Sequence, residues 1–354
     1  MVLGSNPAPL RPTFTLAVGG LRSETTDPVG GPTEFVVDRD MDVPADALRL
    51  RLKERSGIAV GDDATLALGY EGEEETVFTG TVEAVYPAIT GVAVRALGTM
   101  GDLLNLRASA AFTNQSAGSI VRDLLGRAGL SAGTVADGPV LPRYVVDRAL
   151  SGYRHLKELA DRLGYELYAD CDGDVMFYAV GSAAGLDAPG GALGGLLGAA
   201  AGFAGGGESY AFGRQLLRAA AGRRDAAWGS VEVGGESPMS RRGDTTEHWL
   251  TTNDDDCQGT AGDGDPTLLV RDPVARTKDL ADRFAAGRLA VATRTAREVS
   301  IIVLGRPQVD LGDPITTGDV PDEEVNGTGY VRAIRHRFEE REGFVTDMRI
   351  SMEP

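Results

Sequence analysis

Apolar residues recur at every second position over much of the first hundred residues. The clearest run, Ala47-Leu48-Arg49-Leu50-Arg51-Leu52-Lys53, predicts a strand with leucines on one face and charges on the other. Shorter apolar or alternating runs at 13–18, 34–38, 65–70, 76–86 and 91–97 are separated by turns that carry Gly, Glu and Pro. Several short strands at close spacing predict a small barrel or sandwich over 1–108.

The period changes between 109 and 180. Ile120, Val121, Leu124 and Leu125 share one face of a helix expected over 117–128, with capping side chains at 114–116 and Gly129 as its stop. A second helix is expected over 152–163, with Leu156, Leu159, Ala160 and Leu163 inward and Gly164 ending it. A hairpin follows, 165–169 and 175–180, turning at Asp172-Gly173. This is a small α/β domain. Residues 181–207 are rich in Gly and Ala; they read as a linker or insertion, because these residues give little transfer energy and much backbone freedom. Residues 208–354 return to β, with strands expected at 228–233, 298–304, 314–317, 329–338 and 344–352 and a polar, acidic loop at 234–267. A helix of roughly twenty residues is expected to open at Asp272-Pro273, since Val274, Leu280, Phe284 and Leu289 recur near helical spacing. The fold class is α+β, mainly β, with a β-rich domain at each end of an α/β middle.

Charge narrows the partners. A formal net charge of -17 opposes binding of nucleic acid through phosphate neutralisation, and opposes attachment to an anionic membrane surface. Cys171 and Cys257 are the two cysteines, too few for a disulfide framework or a four-thiolate zinc site. The first residues show no basic stretch followed by an apolar one, so synthesis and assembly in the cytoplasm are expected.

Candidate chemistry is sparse. His155, His248 and His336 each stand without a second ligand at metal spacing. Asp254, Asp256, Asp263 and Asp265 are the candidates for a cation, but the order of ligands in an EF-hand fails here. There is no G-x-S-x-G elbow and no phosphate-binding glycine loop. No catalytic residue and no cofactor are expected.

Two regions carry a resemblance. The first is the helix Ser119-Ile120-Val121-Arg122-Asp123-Leu124-Leu125, then Tyr144-Val145-Val146, then the run from Tyr153 through Leu163-Gly164-Tyr165 to Tyr168. The second is Gly305-Arg306-Pro307, Leu311-Gly312-Asp313-Pro314, Gly329-Tyr330 through His336, and the closing run 343–350. In this order they resemble the phage late control protein D family, the baseplate central hubs of contractile tails and injection systems. The resemblance implies two β-barrel, tube-like domains, 1–108 and 208–354, flanking the α/β domain and assembled as a ring. It marks Gly164, Tyr165, Gly305, Pro307, Gly312, Asp313, Gly329, Tyr330 and His336 as structural motif residues. It implies a homotrimer that adapts a hexameric inner tube to a trimeric spike, the spike being a separate polypeptide. A baseplate wedge or LysM-type hub-associated protein is the further partner. The alternatives are a tail-associated host-recognition or carbohydrate-binding module, for which Trp228 and Trp249 make a thin aromatic platform, and a tail lysin, for which no stretch of the chain is free.

Overall fold

The leucines of 47–52 turn one way in the strand Ala47–Leu52, Leu48, Leu50 and Leu52 buried and Arg49 and Arg51 exposed, and that strand lies inside one curled sheet. The computed structural model describes residues 10–54, 57–71, 73–179, 208–235, 257–339 and 343–352. The first seven strands are β1 (Pro12–Val18), β2 (Leu21–Glu24), β3 (Pro32–Asp40), β4 (Ala47–Leu52), β5 (Asp63–Tyr70), β6 (Glu73–Ala88) and β7 (Gly91–Gly98). Then come α1 (Gly101–Asn105), β8 (Ala110–Ser116), α2 (Ala117–Ala128), β9 (Ala132–Val135), β10 (Val140–Val146), α3 (Gly152–Leu163), β11 (Glu166–Ala169) and β12 (Val175–Tyr178). The last part holds β13 (Glu208–Ala211), β14 (Leu216–Arg223), β15 (Ser230–Gly234), β16 (Gln258–Gly262), β17 (Thr267–Arg271), α4 (Lys278–Thr293), β18 (Arg297–Leu304), β19 (Pro314–Gly318), β20 (Gly327–Glu339) and β21 (Gly343–Met352).

The two β regions are one sheet. Its strand order is β14-β18-β21-β20-β3-β4-β7-β6-β5-β1-β2, and β19 and β13 extend from β20. The join is the antiparallel pair β20–β3, registered from Ala333 opposite Asp40 to Glu339 opposite Glu34. Each half has its own core on the inner face. Phe14, Leu16, Leu48, Leu50, Leu66 and Phe78 belong to one, and Val299, Ile301, Ile334, Met348 and Ile350 to the other.

A third core belongs to the middle of the chain. Ile120, Leu124, Leu156 and Leu159 from α2 and α3 pack there with Phe177. The helices occupy the expected residues for the expected reasons. The Ser116 and Ser151 side chains cap the first turns, and Gly129 and Gly164 take the left-handed conformation that ends them.

The segment between β14 and β18 departs from expectation. Val231, Val233, Leu280, Ala281 and Phe284 enter the middle core, so α4 belongs with α3 and does not sit within the C-terminal barrel. Residues 258–262, expected as part of an acidic loop, form β16, which pairs with β15, and β17 pairs with β15 on its other side. Asp272-Pro273 does not open the helix. Asp272 instead turns its carboxylate to the Val274 N–H and to two arginines, and α4 starts after Thr277, whose hydroxyl accepts from the Leu280 N–H.

Gly287 shows how tightly α4 is seated. An added Cβ there would lie 2.3 Å from the Arg162 carbonyl oxygen and 2.6 Å from the Gly164 nitrogen. Backbone at that distance cannot yield by a rotamer change, so α4 and the end of α3 would have to separate. Gly287→Ala is therefore expected to destabilise by about 1–3 kcal/mol. Gly126→Ala on the exposed side of α2 meets no atom within 4 Å and should stabilise by about 0.5–1 kcal/mol. Denaturant midpoints for the two variants should move in opposite directions.

Candidate functional site

The middle unit meets the sheet where the halves join, and charge is buried there. β20 slips register with β21 between Val331 and Ala333, which leaves Arg332 without a partner on β21. Bulges of this kind re-aim a side chain. Arg332 is 0 % exposed; it donates to Glu166 of β11 at 2.6 Å and to Asp42 at 2.7 Å. Arg294, just after α4, binds the same Glu166 at 2.8 Å. One carboxylate thus ties the middle hairpin to the central strand and to the end of α4.

A second arginine repeats the arrangement on the neighbouring strand. Arg39 of β3 donates to Asp46 at 3.0 Å, to Asp310 at 2.6 Å and to the Ala169 carbonyl at 2.8 Å. Burial, with Asp310 beside it, pushes Asp46 up to about 6 despite the Arg39 charge. A third site holds α4. Burial alone would raise Asp272, but Arg162 at 2.7 Å and Arg288 at 3.0 Å hold its carboxyl below the usual range. None of these ion pairs was anticipated. Their one signal in the sequence is an arginine set among apolar neighbours, as at Arg332 between Val331 and Ala333; Arg39, flanked by Asp38 and Asp40, gives none.

The motif residues fall in four places. Gly164 ends α3, and the neighbouring Tyr165 ring meets Phe177 edge-on at 5.1 Å. Gly305 and His336 lie against β21: a Cβ on Gly305 would overlap the Phe344 ring at 2.0 Å, and the Arg306 N–H donates to the Thr346 hydroxyl at 2.8 Å, while Pro307 beyond it is half-buried. His336 Nδ1 lies 3.0 Å from the same hydroxyl. Burial, and then the charge of Arg39, lower its pKa to about 3, so it is a neutral core imidazole. Gly312, at φ +87°, and Asp313 make the turn into β19. The Gly312 N–H donates to the Val331 carbonyl, the Val331 N–H donates to the Asp313 carbonyl, and a Cβ on Gly312 would lie 2.9 Å from the Tyr168 hydroxyl. Gly329 lets β20 approach β21, since its Cβ would fall 2.2 Å from the Ser351 carbonyl oxygen, and Tyr330 beside it is buried.

Little here can do covalent chemistry. Among the described residues no group of three His, Cys, Asp or Glu side chains could hold a metal ion. Asp263 and Asp265 are exposed, and Asp254 and Asp256 lie outside the described residues. Burial and Asp310 push the Cys171 thiol up to about 11, the reverse of an activated nucleophile. Trp228 is half-buried, and Trp249 and His248 lie outside the described residues. No described helix is long and apolar enough to cross a membrane. The outer face of the sheet is instead a chequer of cross-strand ion pairs, among them Glu34–Arg51 at 3.1 Å, Asp38–Arg49 at 2.7 Å and Glu83–Arg95 at 3.1 Å.

The chain matches no protein-family model, and no curated protein matches it. Its shape does have counterparts. The 43 kDa tail protein of prophage MuSo2 from Shewanella oneidensis superposes with a TM-score of 0.67 at 14% identity, over 97% of this chain and 100% of that one. The tail protein of Neisseria meningitidis MC58 gives 0.69 at 13% identity, over 97% of each chain. The chain has the fold of phage tail proteins. An Escherichia coli component of the type VI secretion system, described as structurally similar to the T4 tail proteins gp27 and gp5, gives 0.55 at 12% identity, over 96% of this chain and 77% of that one.

Proposed function

We propose that this chain is a structural baseplate hub of a phage tail or contractile injection system, a homotrimer that joins a hexameric inner tube to a trimeric spike. The observation that carries the reading is the end-to-end likeness to two tail proteins in a chain whose one sheet has two halves, each with its own core. In this reading the β-rich halves, within 1–108 and 208–354, are tube-like domains. Three copies present six such units to a tube and three-fold symmetry to a spike, and a cyclic ring of identical contacts closes without a ligand. The unit around α2, α3 and α4 holds the halves at a fixed angle through the buried arginines, and the motif glycines set their turns. A baseplate wedge or LysM-type protein would bind outside the ring. The chain would act in a tail-like particle assembled in the cytoplasm and would not be an enzyme.

The test is mass in solution. Native mass spectrometry of the full chain is expected to give a species of three chains of 37.1 kDa each. Co-expression with tube and spike proteins from the same gene neighbourhood should recover a complex containing that trimer. A chain that stays monomeric at tens of micromolar, alone and with those proteins, would refute the hub.

A further inference from the structure

The two halves of the sheet are built on one plan. β3, β4, β5, β6 and β7 follow one another along the chain and pair in the order β3-β4-β7-β6-β5. β14, β18, β19, β20 and β21 pair in the order β14-β18-β21-β20-β19, and every step in both sets is antiparallel. The irregularities repeat as well. Gly61, at φ +94°, donates its N–H to the Val82 carbonyl, and the Val82 N–H donates to the Asp62 carbonyl; Gly312 and Asp313 exchange the same two bonds with Val331. β6 bulges at Glu83 against β7 where β20 bulges at Arg332 against β21. β3 bulges at Thr33 against β4 where β14 bulges at Leu217 against β18. A Cβ on Gly80 would fall 2.1 Å from the Leu97 carbonyl oxygen, as one on Gly329 would fall 2.2 Å from that of Ser351.

One pairing lacks its counterpart. β20 meets β19 at its start and then, on the same side, β3 along Ala333–Glu339. β6 meets β5 at its start, but among the described residues nothing pairs with Glu83–Ala88 on that side. β14 occupies the place of β3, and among the described residues it pairs only with β18. The Arg223 and Arg224 side chains bind Glu324 and Glu298 of their own chain, which leaves the outer backbone of β14 unpaired.

We propose that the end of β6 in one copy pairs antiparallel with β14 of the next copy, repeating between chains the β20–β3 pair that joins the two halves within a chain. The internal pair supplies the register. Arg335 opposite Asp38 becomes Tyr86 opposite Gly222, and Ile334 opposite Arg39 becomes Val85 opposite Arg223. Exposure agrees with a missing neighbour. Tyr86 is 57 % exposed, Pro87 and Ala88 are exposed, and so are Ala220, Ala221 and Gly222. Unpaired strand edges recruit another strand, and Gly222 leaves room for the Tyr86 ring. Pro87 stands where His336 does and costs the new ladder at most one N–H. A contact that uses a different edge on each side is heterologous and generates a ring when the rotation closes. In a ring of three copies all six junctions would then be of one kind, three within chains and three between. The number of copies rests on the hub reading; the pairing does not.

The experiment is oxidative cross-linking of the full chain, with native mass spectrometry and melting alongside. Tyr86→Cys combined with Gly222→Cys is expected to give a disulfide-linked trimer that reductant returns to single chains, because residues opposite each other in an antiparallel pair lie within reach of a disulfide. A Cβ at Gly222 meets only the Glu298 carbonyl oxygen at 3.9 Å, so that substitution is tolerated. Each single variant should stay unlinked, and Tyr86→Cys with Ala220→Cys, two residues out of register, should link far less. A second variant acts on the ladder itself. The Arg224 N–H donates inward to the Ala296 carbonyl, so by alternation the Ala221 N–H points outward. Ala221→Pro should therefore keep the parent melting temperature and weaken assembly roughly tenfold or more. If a trimeric parent gives no link between 86 and 222 and Ala221→Pro assembles as the parent does, the pairing is wrong and the hub reading stands. A link that joins some other number of copies keeps the pairing and overturns the trimer. A parent that stays monomeric and unlinked overturns both.

Discussion

Arg332→Ala is expected to destabilise the chain by about 3–5 kcal/mol, the range for removing one partner of a buried ion pair. The substitution strands two carboxylates in different ways. Glu166 is nearly fully buried and keeps one cation, Arg294, at 2.8 Å. Asp42 keeps Arg349 at 3.1 Å and Arg294 at 3.6 Å, and it is more open to water. Most of the cost is therefore the desolvated Glu166 charge plus the volume the side chain vacated. Arg332→Lys should recover only part of the loss, because one ammonium cannot span Glu166 and Asp42 with the planar fork that now reaches both. Urea denaturation of Arg332→Ala, Glu166→Gln and the double variant gives the coupling. A double variant no worse than the worse single one places the energy in the pair. Strict additivity would mean that the two side chains act separately and that the buried network is incidental. Loss of Arg332 should also loosen the middle unit from the sheet before the sheet itself melts, visible as earlier protease cleavage between the two.

Much of this architecture could be read from residue patterns, and the limits of that reading have physical causes. The helices at 117–128 and 152–163 were legible to the residue because local chemistry sets both ends: a serine caps the first turn and a left-handed glycine stops the last. The strand 47–52 was legible because one of its faces is buried and the other wet. β14 was not, since only Leu216 and Ala219 touch the core and the rest of the strand is exposed, which leaves no alternation to detect. The placement of α4 was not legible either. Its apolar stripe announces a helix but does not say which core receives it, and the decision rests on close approaches at Gly259 and Gly287 that no periodicity encodes. Asp272-Pro273 looked like a helix start because Asp and Pro favour that place; ion pairing to Arg162 and Arg288 claimed the aspartate first. Gly305, Gly312 and Gly329 were marked by resemblance alone, because their close approaches to Phe344, Tyr168 and Ser351 leave no periodic signal. The buried arginines were missed because a charged strand residue is ordinarily read as facing water, and their carboxylate partners lie up to hundreds of residues away.

Acid should act on this core with an unusual profile. His336 has a folded pKa of about 3 against an ordinary 6.5, because burial and Arg39 disfavour its cation. Below pH 6.5 the unfolded chain takes up a proton that the folded chain refuses. The stability from this group is full above 6.5 and is lost toward pH 3, at roughly 1.4 kcal/mol per pH unit. Asp46 works in the opposite sense. Its folded pKa of about 6 lies above the ordinary 3.8, so between pH 6 and about 4 the folded chain binds the extra proton and gains stability as pH falls. Asp40, Asp170 and Asp313, also raised by burial, act with Asp46. The opposing groups flatten the profile between pH 6 and 4. Below about pH 4 the gain is complete, and His336 continues to lose stability. Asp42 and Asp272, held low by their arginines in spite of burial, then add to the loss. His336→Gln tests this directly, because an amide can still bond to Thr346 but cannot take up a proton. Urea midpoints at pH 7, 5 and 4 should fall or stay level for the parent and rise with acidification for the variant. A core that is merely weakened lowers the whole curve without changing its slope, so the sign of the slope separates a titrating histidine from a packing defect.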